Sequence, residues 1–399
     1  MNIFVINSGS SSIKYQLIKM PEATLLCSGL IERIGFGNSS ITHKSIKDKE
    51  EYVHKITMDI DDHATGLQEV VKLLTHDELG VINDPGEIKV VGHRVVHGGE
   101  SFAATTVITP AVKDQIKKLF PLAPLHNPAN HLGIEVAEKI FSSATQIAVF
   151  DTAFHQTMPE VAFRYAIPNE FYHTHSIRAY GFHGTSHKYV AEQASLYLHK
   201  KEARLITIHL GNGCSMSAVH GNTCLDTTMG LGPISGLIMG TRSGDIDASV
   251  IFHLVNQLGY DIDQVNNILN KKSGMLGLTG FSDMRDIKQE ITQGNKEAQL
   301  AYDMYAYRIR KYIGAYTAVL NGLDAIVFTA GVGENDALTR KLASSQLEYL
   351  GIHLDEEKNT AGTKGIREIN TIDSPVKILV VPTNEELEIA KQCYSLLNT

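Results

Sequence analysis

The chain has 399 residues, 43% of them hydrophobic, and its 36 Lys and Arg residues against 44 Asp and Glu residues give a net charge of −8. This length and composition predict two or three domains with substantial cores and exclude a disordered chain. The acidic balance argues against a nucleic-acid-binding surface, and the apolar patterns lead us to expect neither a bilayer-spanning segment nor a signal peptide.

Short β-rich runs alternate with helical patterns, and this alternation predicts an α/β protein. Strands are expected at residues 3–6, 13–18, 88–95, 146–150, 205–209, 325–328 and 376–381. One helix is predicted to begin at Thr109-Pro110 and another at Asn127-Pro128, with Asn127 as the N-cap. A long helix is expected over residues 295–320, and a final helix after Pro382 is expected to pack on the first half of the chain.

Two pairs of segments suggest an internal duplication. Residues 3–18 and 206–220 both read as strand, small polar turn and strand, and residues 148–154 and 326–332 both read as a buried strand that ends in a small-residue turn. These repeats favour two duplicated α/β domains that face each other, and chance similarity of small-residue turns is the alternative. With a boundary near Asp151, the domains are residues 1–150 plus 385–399 and residues 151–384.

Two of the small-residue turns suit phosphate. The turn over residues 7–12 (NSGSSS), with Lys14 on the next strand, exposes backbone N–H groups and hydroxyls. The turn over residues 209–213 (HLGNG) has the same character, and its glycines permit close approach to a ligand. The P-loop pattern GxxxxGK[ST] is absent from the sequence, and an ordinary hairpin turn is the alternative for residues 7–12.

The first half also contains three candidate functional side chains. Arg94 lies on the predicted strand 88–95, where a buried guanidinium needs an anion, and either a carboxylate ligand or a structural ion pair would supply it. His126 precedes a predicted helix, and helix N-termini favour anions. Asp151 follows a strand, which is where α/β proteins place functional groups, and a turn or cap role is its alternative.

His183 in YGFHGTSH and Arg242 in MGTRSGDID lie in glycine-flanked turns. Such groups suit a transferring phosphoryl group, whose oxygens carry dispersed negative charge, and two ordinary surface turns are the alternative. Zinc is disfavoured at the HxxxH spacings, since one lies on a predicted strand and the other lacks the Glu of HExxH.

FTAGVGEN at 328–335 resembles a nucleotide-contacting turn without matching GxGxxG, whereas FSDMRD at 281–286 is a polar turn of low specificity. Glu385 is either a first-turn helix residue or a water-mediated Mg²⁺ ligand.

The cysteines are widely spaced and form no CxxC pair. They stand at Cys27, Cys214, Cys224 and Cys393. We interpret them as reduced thiols, which predicts a cytoplasmic protein.

Together, the motifs resemble those of the acetokinase family. They are NSGSSSIKY, GHRVVHGG, PLHNP, FDTAFH, YGFHGTSH, HLGNG, MGTRSGDID, GVGEN and TNEE, in family order over nearly the whole chain. The resemblance implies two duplicated actin-like, sugar-kinase-like (ribonuclease H-like) domains with an active-site cleft between them. The N-terminal domain would bind the acid and Mg²⁺, and the C-terminal domain the nucleotide. It further implies reversible ATP-dependent phosphorylation of acetate to acetyl phosphate and ADP, Mn²⁺ as a substitute for Mg²⁺, no nucleic-acid or membrane partner, and a homodimer.

The resemblance also assigns roles by motif. The metal residues are Asn7 and Glu385, and the catalytic residues are Asp151, His183 and Arg242. Arg94 binds the substrate carboxylate, and the other substrate-binding residues are Val96, Leu125, His126, Phe182 and Pro233. The ATP-binding residues are Lys14, His209, Leu210, Gly211, Asn212, Gly213, Asp283, Met284, Arg285, Gly331, Val332, Gly333, Glu334 and Asn335.

The chain departs from the family pattern at three positions. Ala330 stands where the family usually has Gly, and Gly232 and Ala248 replace the commoner Thr and Pro. None of these changes removes a charged or ligand residue, so activity is still expected.

A carboxylate substrate arrives deprotonated, so a kinase that acts on it needs no strong general base. We therefore expect direct in-line transfer, with Asp151 orienting an Arg or a metal-bound water; the competing view makes Asp151 a proton donor and acceptor. Two alternatives stay open for the function. One is a related kinase for propionate or butyrate. The other is a nucleotide-binding switch or a chaperone-like protein on the same fold, in which Arg94, His183 and Arg242 would have no purpose.

Overall fold

The computed structural model describes residues 1–48, 50–362 and 364–398. Its contacts divide the chain into unit 1, which is Met1–Phe154 together with the segment from Asn384 onward, and unit 2, which is His155–Thr383. Asp151, predicted to begin the second domain, lies in unit 1, and its backbone N–H donates to Val95 O at 3.0 Å. Over the described ranges, no helix combines the length and apolar character needed to cross a membrane.

Unit 1 is built on one sheet. Its strands are β1 (Asn2–Ser8), β2 (Ser12–Lys19), β3 (Thr24–Glu32), β4 (Ser39–Lys47), β5 (Glu50–Met58), β6 (Ile88–Val95), β7 (Thr106–Val107) and β8 (Thr145–Phe150). The strand order is β5-β4-β3-β2-β1-β6-β8-β7. Strand β1 is antiparallel to β2 and parallel to β6, which is parallel to β8.

Unit 2 contains the second sheet. Its strands are β9 (Arg204–Leu210), β10 (Cys214–His220), β11 (Thr223–Thr227), β12 (Ala325–Thr329), β13 (Arg367–Glu368) and β14 (Lys377–Val380). The order is β11-β10-β9-β12-β14-β13. Strand β9 is antiparallel to β10 and parallel to β12, which is parallel to β14.

The two sheets share one topology, and this confirms the predicted duplicated α/β architecture. In each sheet, three antiparallel strands (β3-β2-β1 and β11-β10-β9) are extended by two parallel strands (β6-β8 and β12-β14). The first repeat is confirmed, because β1-β2 and β9-β10 hold equivalent positions. The second is wrong: β12 neighbours β9 and corresponds to β6, whereas β8 corresponds to β14. A buried strand before a small-residue turn is common to both parallel positions, so the pattern could not distinguish them.

The helices connect the strands and cover the sheets. They are α1 (His63–Leu74), α2 (Pro110–Lys118), α3 (Asn127–Ile140), α4 (Glu160–Phe163), α5 (Glu170–His175), α6 (Gly184–Tyr197), α7 (Ala248–Asn256), α8 (Ile262–Lys271), α9 (Gly274–Thr279), α10 (Met284–Thr292), α11 (Lys296–Leu320), α12 (Ala330–Asn335), α13 (Ala337–Ser344), α14 (Glu356–Thr360) and α15 (Glu385–Leu397). The predicted starts of α2 and α11 are confirmed, with Thr109 and Asn295 as side-chain caps.

Asn127 is not the N-cap of α3, contrary to the prediction. The N-cap is His126, and no side chain caps that end. The Asn127 amide bonds instead to the backbone of His97, with its Oδ1 3.0 Å from the N and its Nδ2 2.9 Å from the O. This tertiary contact satisfies both polar atoms of the amide and overrides the local capping preference.

Both faces of β1 are covered, which explains its unbroken apolar sequence. Phe4 and Ile6 pack into one cluster, while Ile3 and Val5 pack with Ile389 of α15 on the other face. Strands β3, β4 and β5 were not predicted. They lie toward one edge of the sheet, and the buried positions of β4 are mostly polar.

Candidate active site

In unit 1, a guanidinium and a carboxylate meet at the carboxyl ends of parallel strands. Arg94 Nη2 donates to Asp151 Oδ2 at 2.6 Å, and Nε lies 3.0 Å from the same oxygen. Asp151 is 1% exposed. Burial acts to lower the pKa of Arg94, but the carboxylates of Asp151 and Glu385 outweigh it and raise the pKa. The ion-pair alternative is therefore realised, yet Arg94 Nη1 makes no hydrogen bond within the described chain and can still bind an anion.

Helix α15 brings two more carboxylates to this end of the sheet. Glu385 Oε2 is 3.7 Å from Arg94 Nε, and Glu386 Oε1 is 2.6 Å from Lys14 Nζ. Burial raises the pKa of Glu385 by more than the nearby Arg94 lowers it, and the carboxylates of Asp151 and Glu386 raise it further. Asn7 pairs with Lys14 across the β1–β2 hairpin. The carboxylates outnumber the two cations here, which favours a bound cation.

Other predicted substrate residues of unit 1 lie on nearby segments. Val96 follows β6, is 8% exposed and donates its N–H to Asn130 Oδ1 at 3.0 Å. Leu125 is 59% exposed, and His126 directly precedes α3. Their contribution to an acid pocket stays a prediction.

In unit 2, His183 and Arg242 meet beside one glycine. A Cβ built on Gly213 would lie 3.5 Å from His183 Nε2 and 3.6 Å from Arg242 Nη1. Gly213 belongs to the turn between β9 and β10, which the sequence analysis assigned to phosphate. The imidazole, the guanidinium and this turn therefore lie together, and a side chain at Gly213 would fill the space beside them.

The His183 ring is held from several sides. Its residue has φ 56° and ψ 26° just before α6, a left-handed conformation that is strained for histidine. The ring stacks on His209 with centroids 4.3 Å apart, and Nδ1 lies 2.8 Å from Ser215 Oγ.

Arg242 is partly buried, and this lowers the pKa of its guanidinium. Nη1 donates to Pro233 O at 3.0 Å, and no carboxylate of the described residues pairs with it. The loop that carries it is tied down through Asp245, which accepts from Gly236 N at 2.7 Å and from Tyr312 Oη at 2.6 Å.

A cavity of about 650 Å³ lies beside the same turn. It brings together the predicted ATP-binding residues Gly211, Asn212, Asp283, Met284, Arg285, Gly331, Val332 and Asn335. Asp283 accepts hydrogen bonds from the Arg285 side chain and backbone N–H, and these lower the pKa of Asp283 to about 2.

Several cavity residues were not predicted. Ser282, Lys288, Tyr305 and Asp336 also line it, and Lys288 Nζ lies 3.3 Å from Asp336 Oδ1. Ser282 lies in the polar turn FSDMRD, whereas no sequence motif marks the other three side chains. Within FTAGVGEN, which resembles a nucleotide-contacting turn in sequence, residues 330–335 form the short helix α12.

Four further predicted residues of unit 2 do not line this cavity. Phe182 is 3% exposed and Leu210 is fully buried. The carbonyls of Gly333 and Glu334 accept from Arg340 Nη1 at 2.9 and 3.0 Å. Lys14, also predicted to contact ATP, lies in unit 1.

Comparisons with known proteins cover nearly the whole chain. The model of the acetokinase family matches residues 2–391. The chain is 59% identical over 397 residues to an acetate kinase of Flavobacterium johnsoniae, with 100% of both sequences covered. Among solved structures, it is similar to Porphyromonas gingivalis acetate kinase (TM-score 0.93, 42% identity, 99% of each chain) and to a propionate kinase from Francisella tularensis (TM-score 0.90, 42% identity, 98% of each chain).

Proposed function

The chain belongs to the acetokinase family, and from that premise we propose that it catalyses reversible phosphorylation of acetate by ATP, with acetyl phosphate and ADP as products. The observation that carries this proposal is the meeting of His183 and Arg242 at Gly213, beside the cavity that collects the predicted ATP-binding residues. The adenosine would occupy the cavity, and the phosphates would reach the turn over residues 209–213. The expected cleft between the domains stays a prediction.

Charge stabilisation accounts for most of the proposed catalysis. An attacking carboxylate carries no proton that a base must remove, so the protein has to align two anions and offset their repulsion. His183 and Arg242 would donate to the equatorial oxygens of the transferring phosphoryl group, where negative charge is spread in the transition state.

Arg94 would bind the acid through the guanidinium edge that Asp151 leaves open. Asp151 accepts from Nε and Nη2 of Arg94, while Nη1 is available. Asp151 would therefore act by fixing the guanidinium plane rather than by proton exchange. Val96, near the end of the same strand, would limit the length of the acid.

Mg²⁺ would be held in unit 1 by Asn7 and Glu385. Amide and carboxylate oxygens are suitable hard ligands, and the surplus of carboxylates over cations at this place favours a divalent ion. Among the described residues, no group of three or more His, Cys, Asp and Glu side chains is arranged to hold a metal. We therefore expect phosphate oxygens and water to complete the coordination. When bound, Mg²⁺ neutralises negative charge on the phosphates.

A homodimer is supported by an exposed apolar segment around α7. No residue of α7 is buried. The exposed fractions are 43% for Val250, 64% for Phe252, 58% for Leu258 and 62% for Ile262. Apolar side chains concentrated on one exposed segment mark a protein–protein surface, and we propose that a second copy of this chain covers them. The cysteines at positions 27, 214, 224 and 393 are all unpaired and buried, which supports the proposed cytoplasmic location.

A hydroxamate assay tests the function directly. Hydroxylamine converts an acyl phosphate into a hydroxamate, which ferric iron colours, and the protein is incubated with ATP, Mg²⁺ and acetate. We expect hydroxamate that depends on both the acid and the nucleotide. Nucleotide binding without hydroxamate from any short acid would favour the nucleotide-binding switch.

A second candidate is a preference for propionate, favoured by the likeness to the Francisella tularensis propionate kinase. The ratio of kcat/KM for acetate, propionate and butyrate in the same assay decides between the acids.

A further inference from the structure

We propose that Ser215 is a positioning residue of the phosphoryl-transfer site: its hydroxyl fixes a proton on His183 Nδ1 and leaves Nε2 as the nitrogen that meets the phosphoryl group. This inference rests on the proposed function, because the task it gives Ser215 belongs to that transfer.

The Ser215 hydroxyl lies between two imidazoles. Ser215 is fully buried on β10, and its Oγ is 2.8 Å from His183 Nδ1 and 2.7 Å from His187 Nε2. His183 and His187 lie one helical turn apart, and the backbone N–H of His187 donates to the backbone O of His183 at 2.9 Å. A serine hydroxyl has a single proton, so it donates to one imidazole and accepts from the other.

The surroundings of His187 set the direction of the hydrogen bonds that pass through Ser215. We assign the Thr207 hydroxyl proton to Ser217 O, 3.4 Å away, and with this assignment the Thr207 oxygen, 2.7 Å from His187 Nδ1, accepts the His187 Nδ1 proton. His187 is fully buried, and burial, followed by the nearby His155 and His209, lowers its pKa well below the ordinary value. The ring is therefore neutral, with no proton on Nε2, and Nε2 accepts from Ser215. Ser215 Oγ in turn accepts from His183 Nδ1–H.

This direction determines what His183 offers the substrate. With Nδ1–H committed to Ser215, any second proton binds at Nε2, the atom beside Gly213 and Arg242. The imidazolium then donates from Nε2 to a phosphoryl oxygen and adds a positive charge to that of Arg242. Without Ser215, the single proton of neutral His183 could lie on either nitrogen, and the ring would lose one of its fixed contacts.

The tautomer is measured first, in the wild-type protein without substrates. Two-bond ¹⁵N–¹H correlations of protein labelled at histidine distinguish a proton on Nδ1 from one on Nε2, and the His183 signal is assigned by its loss in His183→Gln. We expect the Nδ1–H form for neutral His183. A neutral His183 with its proton on Nε2 would overturn the proposal, whether or not any serine variant folds.

The second experiment measures the steady-state kinetics of Ser215→Ala. We expect kcat to fall about tenfold, with KM for ATP and acetate within about twofold, since one hydrogen bond to a transition-state group is lost. Ser217→Ala is the matched control: Ser217 lies two residues further along β10, is also buried, and bonds to Thr227 Oγ1 at 3.0 Å. We expect it to keep wild-type kcat.

The outcomes separate this inference from the proposed function. Unchanged kcat in Ser215→Ala, or equal losses in both serine variants, would overturn the positioning role. A wild-type protein inactive towards every short acid would instead remove the proposed function and leave the tautomer result standing.

Discussion

Arg242→Ala removes a cation that the protein itself does not neutralise. Its Nη1 donates to a carbonyl, Pro233 O, at 3.0 Å, and no carboxylate pairs with it in the described part of the chain. A charged donor held partly out of water interacts most strongly where negative charge develops during transfer. Loss of one preorganised donor of this kind costs about 3–4 kcal/mol of transition-state stabilisation, which corresponds to a decrease in kcat of about 10²–10³.

The same substitution should spare the fold, and this separates a catalytic from a structural role. A partly buried cation without a carboxylate partner carries a desolvation cost, so we expect Tm to stay unchanged or to rise slightly. Initial rates over a grid of ATP and acetate concentrations give kcat and KM separately, and calorimetry gives Tm. Arg164→Ala is a suitable control, because its guanidinium in unit 2 bonds to Glu160 and Asn169 and is not assigned to the site.

Two results would contradict a catalytic role for Arg242. A kcat within tenfold of wild type would show that Arg242 does not stabilise the transition state. A lower kcat together with a clearly lower Tm would show that Arg242 supports the fold of its loop instead.

Four further predictions follow from individual side chains. Val96→Ala should raise kcat/KM for propionate relative to acetate by about tenfold; an unchanged ratio would remove Val96 from the acid pocket. Ala330 has φ 63°, so Ala330→Gly should stabilise the protein by about 0.5–1 kcal/mol in calorimetry, and a destabilised variant would contradict this. Phe252→Glu should yield monomers in sedimentation analysis, whereas an intact dimer would place the interface elsewhere. Burial raises the pKa of Asp226 from 3.8 to about 6, so between these values the folded protein holds a proton that the unfolded protein releases, and the contribution of Asp226 to stability falls as pH rises from 4 to 6. Asp226→Asn should remove this contribution, so the stability difference between wild type and variant in denaturant titrations should change over this pH range, and a constant difference would contradict the assignment.

Much of the local structure was predictable because its determinants lie within a few residues. Thr109 caps α2 and Asn295 caps α11, as their side chains and the following residues indicate. The apolar run of β1 and the small-residue turn after it predicted the hairpin with β2, and the same pattern predicted β9 and β10. Strand β4 escaped prediction because its buried face is mostly polar, and β5 because none of its residues is buried.

The candidate site includes features that local sequence patterns could not predict. The motifs named His183, Arg242 and the turn over residues 209–213, but their meeting at Gly213 depends on the pairing of β9 with β10 and on the path of the Arg242 loop. Ser215 could not be found from sequence, since a serine on a buried strand looks the same whether or not an imidazole faces it. Asn127 was predicted to cap a helix, but its side-chain amide bonds instead to the backbone of His97, thirty residues earlier.

The α/β class, the repeated strand–turn–strand unit and the residue types available for phosphoryl transfer could be inferred from the sequence alone, because periodicity, caps and turns act over short distances along the chain. The correspondence of β12 with β6 rather than β8, and the contact of the Ser215 hydroxyl with the His183 ring, became visible in the folded protein. Those outcomes depend on contacts between residues far apart in sequence, which strand order and side-chain packing select.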